Sequence, residues 1–335
     1  MKIYNYKIST FVFIILFISL LLSLFNIYRL TNFLLFPDNN NHLSTEEILK
    51  YVNYEILFQY ISWFSYLLIF VIFIYINLTQ TKSLFYKILF TLIFLLCIYL
   101  PVFPILNLLN IILLIFLNNP PFINDINKEF PSNKLFENNY QEIKKEFNEY
   151  NHHHKNEINC FRSNNPLLSN IDTIDPKNNY CWRTLYLKKT GKIIEDKTKH
   201  FPKTMELIKD DQIHNAFFSI LDPHVEIKPH VGYYKGYLRY HLGIVIPEEN
   251  GQKPYIICGN EKYEWKEGKG VLFDDMYLHY VNNNTNQQRV VLYLDIKRKN
   301  IDEHLRIITD FANYFTENSS LIQLFIKNQH VQDKL

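Results

Sequence analysis

Three long runs of apolar residues crowd the first third of the chain, at 8–26, 57–76 and 88–117. A helix of about 20 apolar residues crosses the hydrocarbon of a bilayer. None of the runs carries the polar stripe of an amphipathic core helix. Residues 1–117 therefore read as a membrane region of three or four transmembrane helices. The first run is followed by no small-residue cleavage site and reads as an uncleaved span. The third is too long for one straight span and is interrupted by Pro101 and Pro104. It fits either one kinked helix with an interfacial tail or a hairpin of two short helices. Lys2 and Lys7 bias the N-terminus to the cytoplasm. Three crossings would put the C-terminal part in a lumen, such as that of the endoplasmic reticulum, and four would leave it in the cytoplasm. Either way the expected location is a membrane, crossed several times.

The rest of the 335 residues is mixed and charged, of globular type. A formal net charge of +2 gives no case for a nucleic-acid partner. Residues 118–133 hold Pro, Asn and charges and read as a linker, while 136–150 has the apolar spacing of a helix. From Trp182 the pattern turns to strands, at 182–187, 216–221, 237–246, 254–258, 263–265, 271–273 and 289–296. Asp222-Pro223, Glu249-Asn250-Gly251, Gly259-Asn260 and residues 282–286 mark turns between them. Many short strands with regular turns predict a sandwich or barrel. Residues 201–209 and 300–315 read as helices, the latter within a C-terminal helical segment of 300–335. Of the four cysteines, Cys97 lies in an apolar run, so Cys160, Cys181 and Cys258 suffice for one bridge at most. His152, His153 and His154 read as a solvated stretch, since three adjacent side chains cannot all face one metal.

Two other histidines stand at strand ends, His230 after Ile227-Lys228-Pro229 and His279 after Asp274-Asp275-Met276-Tyr277-Leu278. Imidazole suits Fe(II), and a jelly roll can bring two strand ends together at its mouth. Arg239 and His241 alternate along one strand and share a face. Arg289 opens an apolar strand, a costly place for a guanidinium without a partner. A small dicarboxylate bound beside a metal needs fixed cations, and arginine offers a fork for a carboxylate; the plainer alternatives are ordinary surface or core histidines and a surface arginine paired with Asp or Glu.

Ala216-Phe217-Phe218-Ser219-Ile220-Leu221, Pro229-His230-Val231-Gly232 and the run 235–247 resemble the core signature of the aspartyl/asparaginyl β-hydroxylases. So do Trp265-Lys266-Glu267-Gly268, Phe273-Asp274-Asp275 with His279, and Arg289-Val290-Val291-Leu292 with Asp295. The likeness keeps the family order over about 130–298. It implies a catalytic domain at 134–299 with a mainly-β double-stranded β-helix, a cupin-like jelly roll with flanking helices, behind the N-terminal transmembrane α-helices.

The resemblance also implies an Fe(II)- and 2-oxoglutarate-dependent dioxygenase that uses O2. His230 and His279 would be the metal ligands and catalytic centre. Ser219, Arg239, His241 and Arg289 would bind 2-oxoglutarate, with Trp182 lining that pocket. Many such oxygenases place an acid two residues after the first histidine, and here that residue is Gly232. Gly232 resembles the animal aspartyl β-hydroxylases, where glycine leaves the position to water, while related lipid A hydroxylases carry Asp. Asp274 or Asp275 could supply the acid instead, or position the His279 loop. The expected substrate is an Asp or Asn side chain of a protein, hydroxylated at its β-carbon. The alternatives are a membrane-bound lipid acyl-chain hydroxylase and an inactive cupin-fold membrane interaction protein. The animal enzymes have a cysteine pair in a substrate-side loop, and no cysteine stands between Trp182 and Arg239.

Overall fold

The structure is a computed structural model that describes residues 104–158, 160–161, 174–175, 180–232 and 234–318. The chain divides into two compact units, Met1–Ile112 and Leu113–Leu335. The described strands all belong to the second. The apolar runs 8–26 and 57–76, and 88–103 of the third, lie outside the described residues. Helix α1 (Pro104–Phe116) begins at one of the two prolines that interrupt the third run, where a missing N–H costs nothing. Its 13 residues reach only ~20 Å. Among the described residues no helix is long and apolar enough to cross a membrane.

Three helices follow: α2 (Ile126–Glu129), α3 (Asn133–Asn138) and α4 (Tyr140–His154). The strands are β1 (Ile174–Asp175), β2 (Tyr180–Lys189), β3 (Lys192–Ile193) and, after helix α5 (Pro202–Leu207), β4 (Ile213–Leu221), β5 (Glu226–His230) and β6 (Tyr237–Val245). Then come β7 (Tyr255–Cys258), β8 (Glu261–Glu264), β9 (Gly270–Phe273), β10 (His279–Asn282), β11 (Arg289–Lys297) and helix α6 (Glu303–Asn318).

The last eight strands form two antiparallel layers. One runs β4-β11-β6-β9, extended beyond β4 by β2 and β1, and the other runs β5-β10-β7-β8. Counted within the eight, these orders are 1-8-3-6 and 2-7-4-5, the wrapping of a double-stranded β-helix. The jelly roll expected from the sequence is thus present in the strand order itself.

The large layer separates two cores by the period-2 alternation of its strands. Phe218 and Ile220 of β4, Tyr240 and Leu242 of β6, and Leu292 and Leu294 of β11 face the helices. There they meet Phe130, Phe136, Ile143 and Phe147, with Phe147 and Phe218 ring centroids 4.8 Å apart. Each such ring contributes ~1.5–3 kcal/mol by burial. Leu221, Trp265, Val271, Phe273 and Val291 form the second core, between the layers. The residues alternating with the helix-facing set include Ser219, Arg239, His241, Arg289 and Asp295. These polar side chains are buried.

Two expectations need correction. The stretch read as a linker is in part built into the domain. Ile123 N–H donates to Leu272 O (2.8 Å), Asp274 N–H donates to Pro121 O (2.8 Å), and Phe130 is fully buried. Pro and Asn there shape an irregular edge on β9, and the apolar residues between them pack. His230 and His279, placed just after strands, lie within them: His230 ends β5 and His279 opens β10.

Candidate active site

The antiparallel register of β5 and β10 pairs His230 with His279 directly. Their ring centroids are 4.1 Å apart. His230 Nδ1–H donates to Lys228 O (2.7 Å), and His279 Nδ1–H donates to Tyr277 O (2.9 Å). A carbonyl only accepts, so each Nδ1 carries the proton and each Nε2 keeps its lone pair. Burial, and then the neighbouring His279, lowers His230 to about 3. Burial lowers His279 to about 4. Both rings are thus neutral, in the tautomer a metal ligand needs.

The acid absent at Gly232 has a structural counterpart. A β-carbon on Gly232 would run into Oδ2, Cγ and Oδ1 of Asp275. Gly232 N–H also donates to Asp275 O (2.6 Å). The Asp275 carboxylate therefore occupies the space an acid at 232 would enter. Arg239 Nε–H donates to Asp275 Oδ2 (2.7 Å), while Oδ1 is buried without a partner. Burial raises the Asp275 carboxyl above its ordinary value, against the opposing pull of Arg239. Among the described residues no third His, Cys, Asp or Glu makes a ready-formed metal cage with the two histidines.

Arg239 is bound on both sides, its second ion pair going to Asp295. The expectation that it contacts the cosubstrate meets a guanidinium already held by two carboxylates. Asp274 lies beneath, fully buried between Lys235 and Arg298 (2.7 Å to Arg298). Both cations hold the same oxygen, Oδ2, of Asp274, and so anchor the start of the turn that carries Asp275 into the site.

Arg289 differs from Arg239. It is 1% exposed, no carboxylate lies within ion-pair distance among the described residues, and its Nε has no acceptor. It reaches Ser219 only weakly, 3.4 Å to the backbone O and to Oγ. Burial lowers its pKa to about 9. Its guanidinium lies 4.8 Å from the ring centroid of Trp265, which offsets part of the desolvation. Trp265 Nε1 and both ring nitrogens of His241 are also buried without partners. Burial, and then Arg289, holds His241 well below its ordinary value, so it is neutral. Trp182 Nε1–H donates to Ser219 Oγ (2.9 Å), joining that side chain to the Arg289 pocket. Unpaired buried donors around a lone guanidinium are what a bound dicarboxylate would satisfy. The residues present therefore fit a metal on the two Nε2 atoms with a dicarboxylate beside it.

The sequence pattern of the aspartyl/asparaginyl β-hydroxylase family matches residues 137–299. The chain carries a domain of the aspartyl/asparaginyl β-hydroxylase family. Over 147 residues the chain is 35% identical to the ornithine lipid ester-linked acyl 2-hydroxylase of Rhizobium tropici, covering 44% of this chain and 50% of that protein. Over 124 residues it is 33% identical to the aspartyl/asparaginyl beta-hydroxylase of Homo sapiens, covering 34% of this chain and 16% of that protein. Aspartate beta-hydroxylase domain-containing protein 2 of Homo sapiens is 31% identical over 140 residues, or 39% of this chain and 37% of that protein. The chain thus spans half or less of these relatives. Among solved structures, a Pseudomonas putida prolyl-4-hydroxylase aligns with 10% identity and a TM-score of 0.31, over 48% of this chain and 88% of that one.

Within this hydroxylase-family domain, sequence reasoning had given no role to Trp265, Lys235 or Arg298. Trp265 stood in the signature, and only its contact with Arg289 shows what it does. Lys235 and Arg298 lie 39 and 24 residues from Asp274, and no local pattern links them.

Proposed function

We propose that the domain is an Fe(II)- and 2-oxoglutarate-dependent oxygenase that hydroxylates the β-carbon of Asp or Asn side chains in a protein substrate. The observation that carries this reading is the neutral histidine pair together with Arg289, a buried cation with no carboxylate at ion-pair distance among the described residues, His241 lying under the influence of both His279 and Arg289. When bound, the iron and the keto acid supply, with O2, the oxidation of an unactivated C–H bond.

The chain's own part is binding and orientation. His230 and His279 hold the metal through Nε2, with the rings aimed by their Nδ1–H bonds. Arg289 and Ser219 take the distal carboxylate of 2-oxoglutarate, with Trp182 orienting the Ser219 hydroxyl. His241 and Trp265 offer further buried polar atoms to the same pocket. Arg239 acts through Asp275, holding one carboxylate oxygen and leaving the other free for the metal or its water. The apolar core between the layers excludes bulk water.

A second reading, hydroxylation of a lipid acyl chain, draws on the 35% identity with the R. tropici enzyme. Gly232 favours the protein branch, since the related lipid A hydroxylases carry Asp at that place. Joined cysteines at 160 and 181 support a domain in an oxidising lumen, hence three crossings.

The test uses the purified full-length chain and follows Fe(II)-dependent conversion of 2-oxoglutarate to succinate. A variant with both His230→Ala and His279→Ala is the control. Mass spectrometry then locates the added oxygen, on Asp or Asn of offered peptides or on the acyl chain of offered lipids. Succinate formation unaffected by the double substitution would overturn the oxygenase reading. Oxygen found on the acyl chain alone would replace the substrate with a lipid.

A further inference from the structure

Among the described residues, the edge of β2 away from β4 meets only short pieces of backbone, with β3 at its far end pairing Lys188 and Lys189. Cys160 makes a single antiparallel bridge with Arg183, and the two-residue β1 pairs with Tyr180 and Cys181. An edge so short has few ladder bonds to keep it in place. A covalent bond stands there instead: Cys160 and Cys181 form a disulfide with Cα atoms 5.7 Å apart.

Each cysteine adjoins an aromatic residue, and the two rings meet. Phe161 and Trp182 have centroids 4.3 Å apart, and Phe161 N–H donates to Trp182 O (2.6 Å). The other face of this arrangement is the cosubstrate pocket. Trp182 Nε1–H donates to Ser219 Oγ (2.9 Å), which lies 3.4 Å from the Arg289 guanidinium. A continuous chain of contacts thus runs from the disulfide through Phe161, Trp182 and Ser219 to Arg289. Trp182 is only partly buried, so its indole relies on Phe161 for one of its walls. Asp222 braces the same strand, accepting from Cys181 N–H (2.9 Å) and Arg183 Nε–H (3.1 Å).

We infer that the Cys160–Cys181 disulfide and Phe161 are positioning residues for the 2-oxoglutarate pocket, fixing the indole of Trp182 so that the Ser219 hydroxyl and Arg289 are preset for the distal carboxylate. The inference rests on the proposed cosubstrate. It gives the disulfide a part in cosubstrate affinity distinct from global stability, since the chain of contacts from it leads through Trp182 to Ser219 and Arg289.

Isothermal titration of the full-length chain with 2-oxoglutarate, in the presence of Mn(II) as a redox-inert stand-in, tests it. Two variants are compared with the wild type: one with both Cys160→Ala and Cys181→Ala, and Phe161→Ala, which keeps the disulfide. Each is expected to raise the dissociation constant for 2-oxoglutarate by about fivefold, roughly the factor carried by one net hydrogen bond. Mn(II) affinity should be unchanged, and in turnover KM for 2-oxoglutarate should rise with kcat held. If the cysteine variant does not fold, Phe161→Ala alone decides. Unchanged 2-oxoglutarate affinity in the folded variants overturns the inference. Parallel losses of Mn(II) and 2-oxoglutarate affinity also overturn it, by showing general loosening. A wild type that binds Mn(II) but no 2-oxoglutarate removes the proposed function itself, and this inference with it.

Discussion

His230 and His279 face each other across the β5–β10 pairing, and each donates its Nδ1–H to the carbonyl two residues before it. The backbone of the smaller layer therefore sets the tautomer of both rings, and no other side chain is needed to orient them. Replacing either ring with Ala removes one Nε2 donor and leaves the other oriented. Mn(II) affinity, read by electron paramagnetic resonance, should fall in each single variant and vanish in the double one. Retained stoichiometric binding in the double variant would place the metal elsewhere.

Gly232 leads to a prediction against intuition. Restoring the acid common in related oxygenases, by Gly232→Asp, should not build a better site. The new β-carbon would meet the Asp275 carboxylate, and overpacking of this kind costs ~1–3 kcal/mol. Thermal melting of Gly232→Asp should show that loss, and adding Asp275→Ala should recover part of it, a coupling expected only of touching groups. Additive effects in this cycle would mean that Asp275 does not fill the space beside Gly232.

On the proposed function, Arg289 is buried for a ligand rather than for the fold. Apart from any bound anion it has two weak hydrogen bonds and the face of Trp265. Arg289→Met keeps the length and removes a desolvated charge. The melting temperature without ligand should be equal to wild type or higher, while 2-oxoglutarate affinity falls by at least about thirtyfold, the equivalent of ~2 kcal/mol. A variant that loses stability and keeps its affinity would reverse both halves of this assignment.

The sequence revealed most of the strands because their apolar residues alternate, though not the short β10 that carries His279, and alternation does not say which face is the inside of the roll. In β4, β6 and β11 the more apolar face turns to the helices, and Ser219, Arg239, His241 and Arg289 turn away from it. Period-2 reasoning put Arg239 and His241 together correctly. It could not tell that Arg239 ends between Asp275 and Asp295 while Arg289 is left without a carboxylate among the described residues, because those partners come from a distant turn and another strand. The Cys160–Cys181 bond was within the count of cysteines, yet the pairing needed the edge of β2. Phe130 and Ile123 were misread because a Pro- and Asn-rich stretch resembles a linker until a sheet edge is there to receive it.

The C-terminal helix α6 is fastened through Glu317, which accepts from His214 (3.0 Å) and pairs with Lys297 (2.6 Å). Burial pushes its carboxyl up, but these two partners outweigh burial and lower it to about 2. The folded value thus lies below the ordinary 4.5. The stabilisation is complete above the unfolded value and is lost as pH falls from there toward about 2. Amide exchange in α6 should accelerate over that window relative to β6 and β11. Glu317→Gln should exchange faster already at neutral pH and show a shallower acid dependence. Equal acid sensitivity in wild type and variant would assign the effect to another carboxylate.

Asn283-Asn284-Thr285 has the form of a glycosylation acceptor, yet its asparagine is a structural plug. Asn283 and Thr285 are both 0% exposed. The Asn283 amide donates to Leu221 O (3.0 Å), Asp222 O (3.0 Å) and Gln287 O (2.8 Å), and its Oδ1 accepts from the Thr285 hydroxyl (2.8 Å). These bonds tie the β10–β11 turn to the end of β4, one residue before Asp222, and so fix where Arg289 enters its strand. A glycan on Nδ2 would take the place of those contacts and leave buried carbonyls unpaired, at ~1–3 kcal/mol each. Protein folded after passage through a eukaryotic secretory pathway should therefore carry no glycan at Asn283, by peptide mass mapping. Asn283→Ala should lower both the melting temperature and 2-oxoglutarate affinity, since the turn that delivers Arg289 loses its tie. Folded protein bearing a glycan at Asn283 would show that the turn can be held without it.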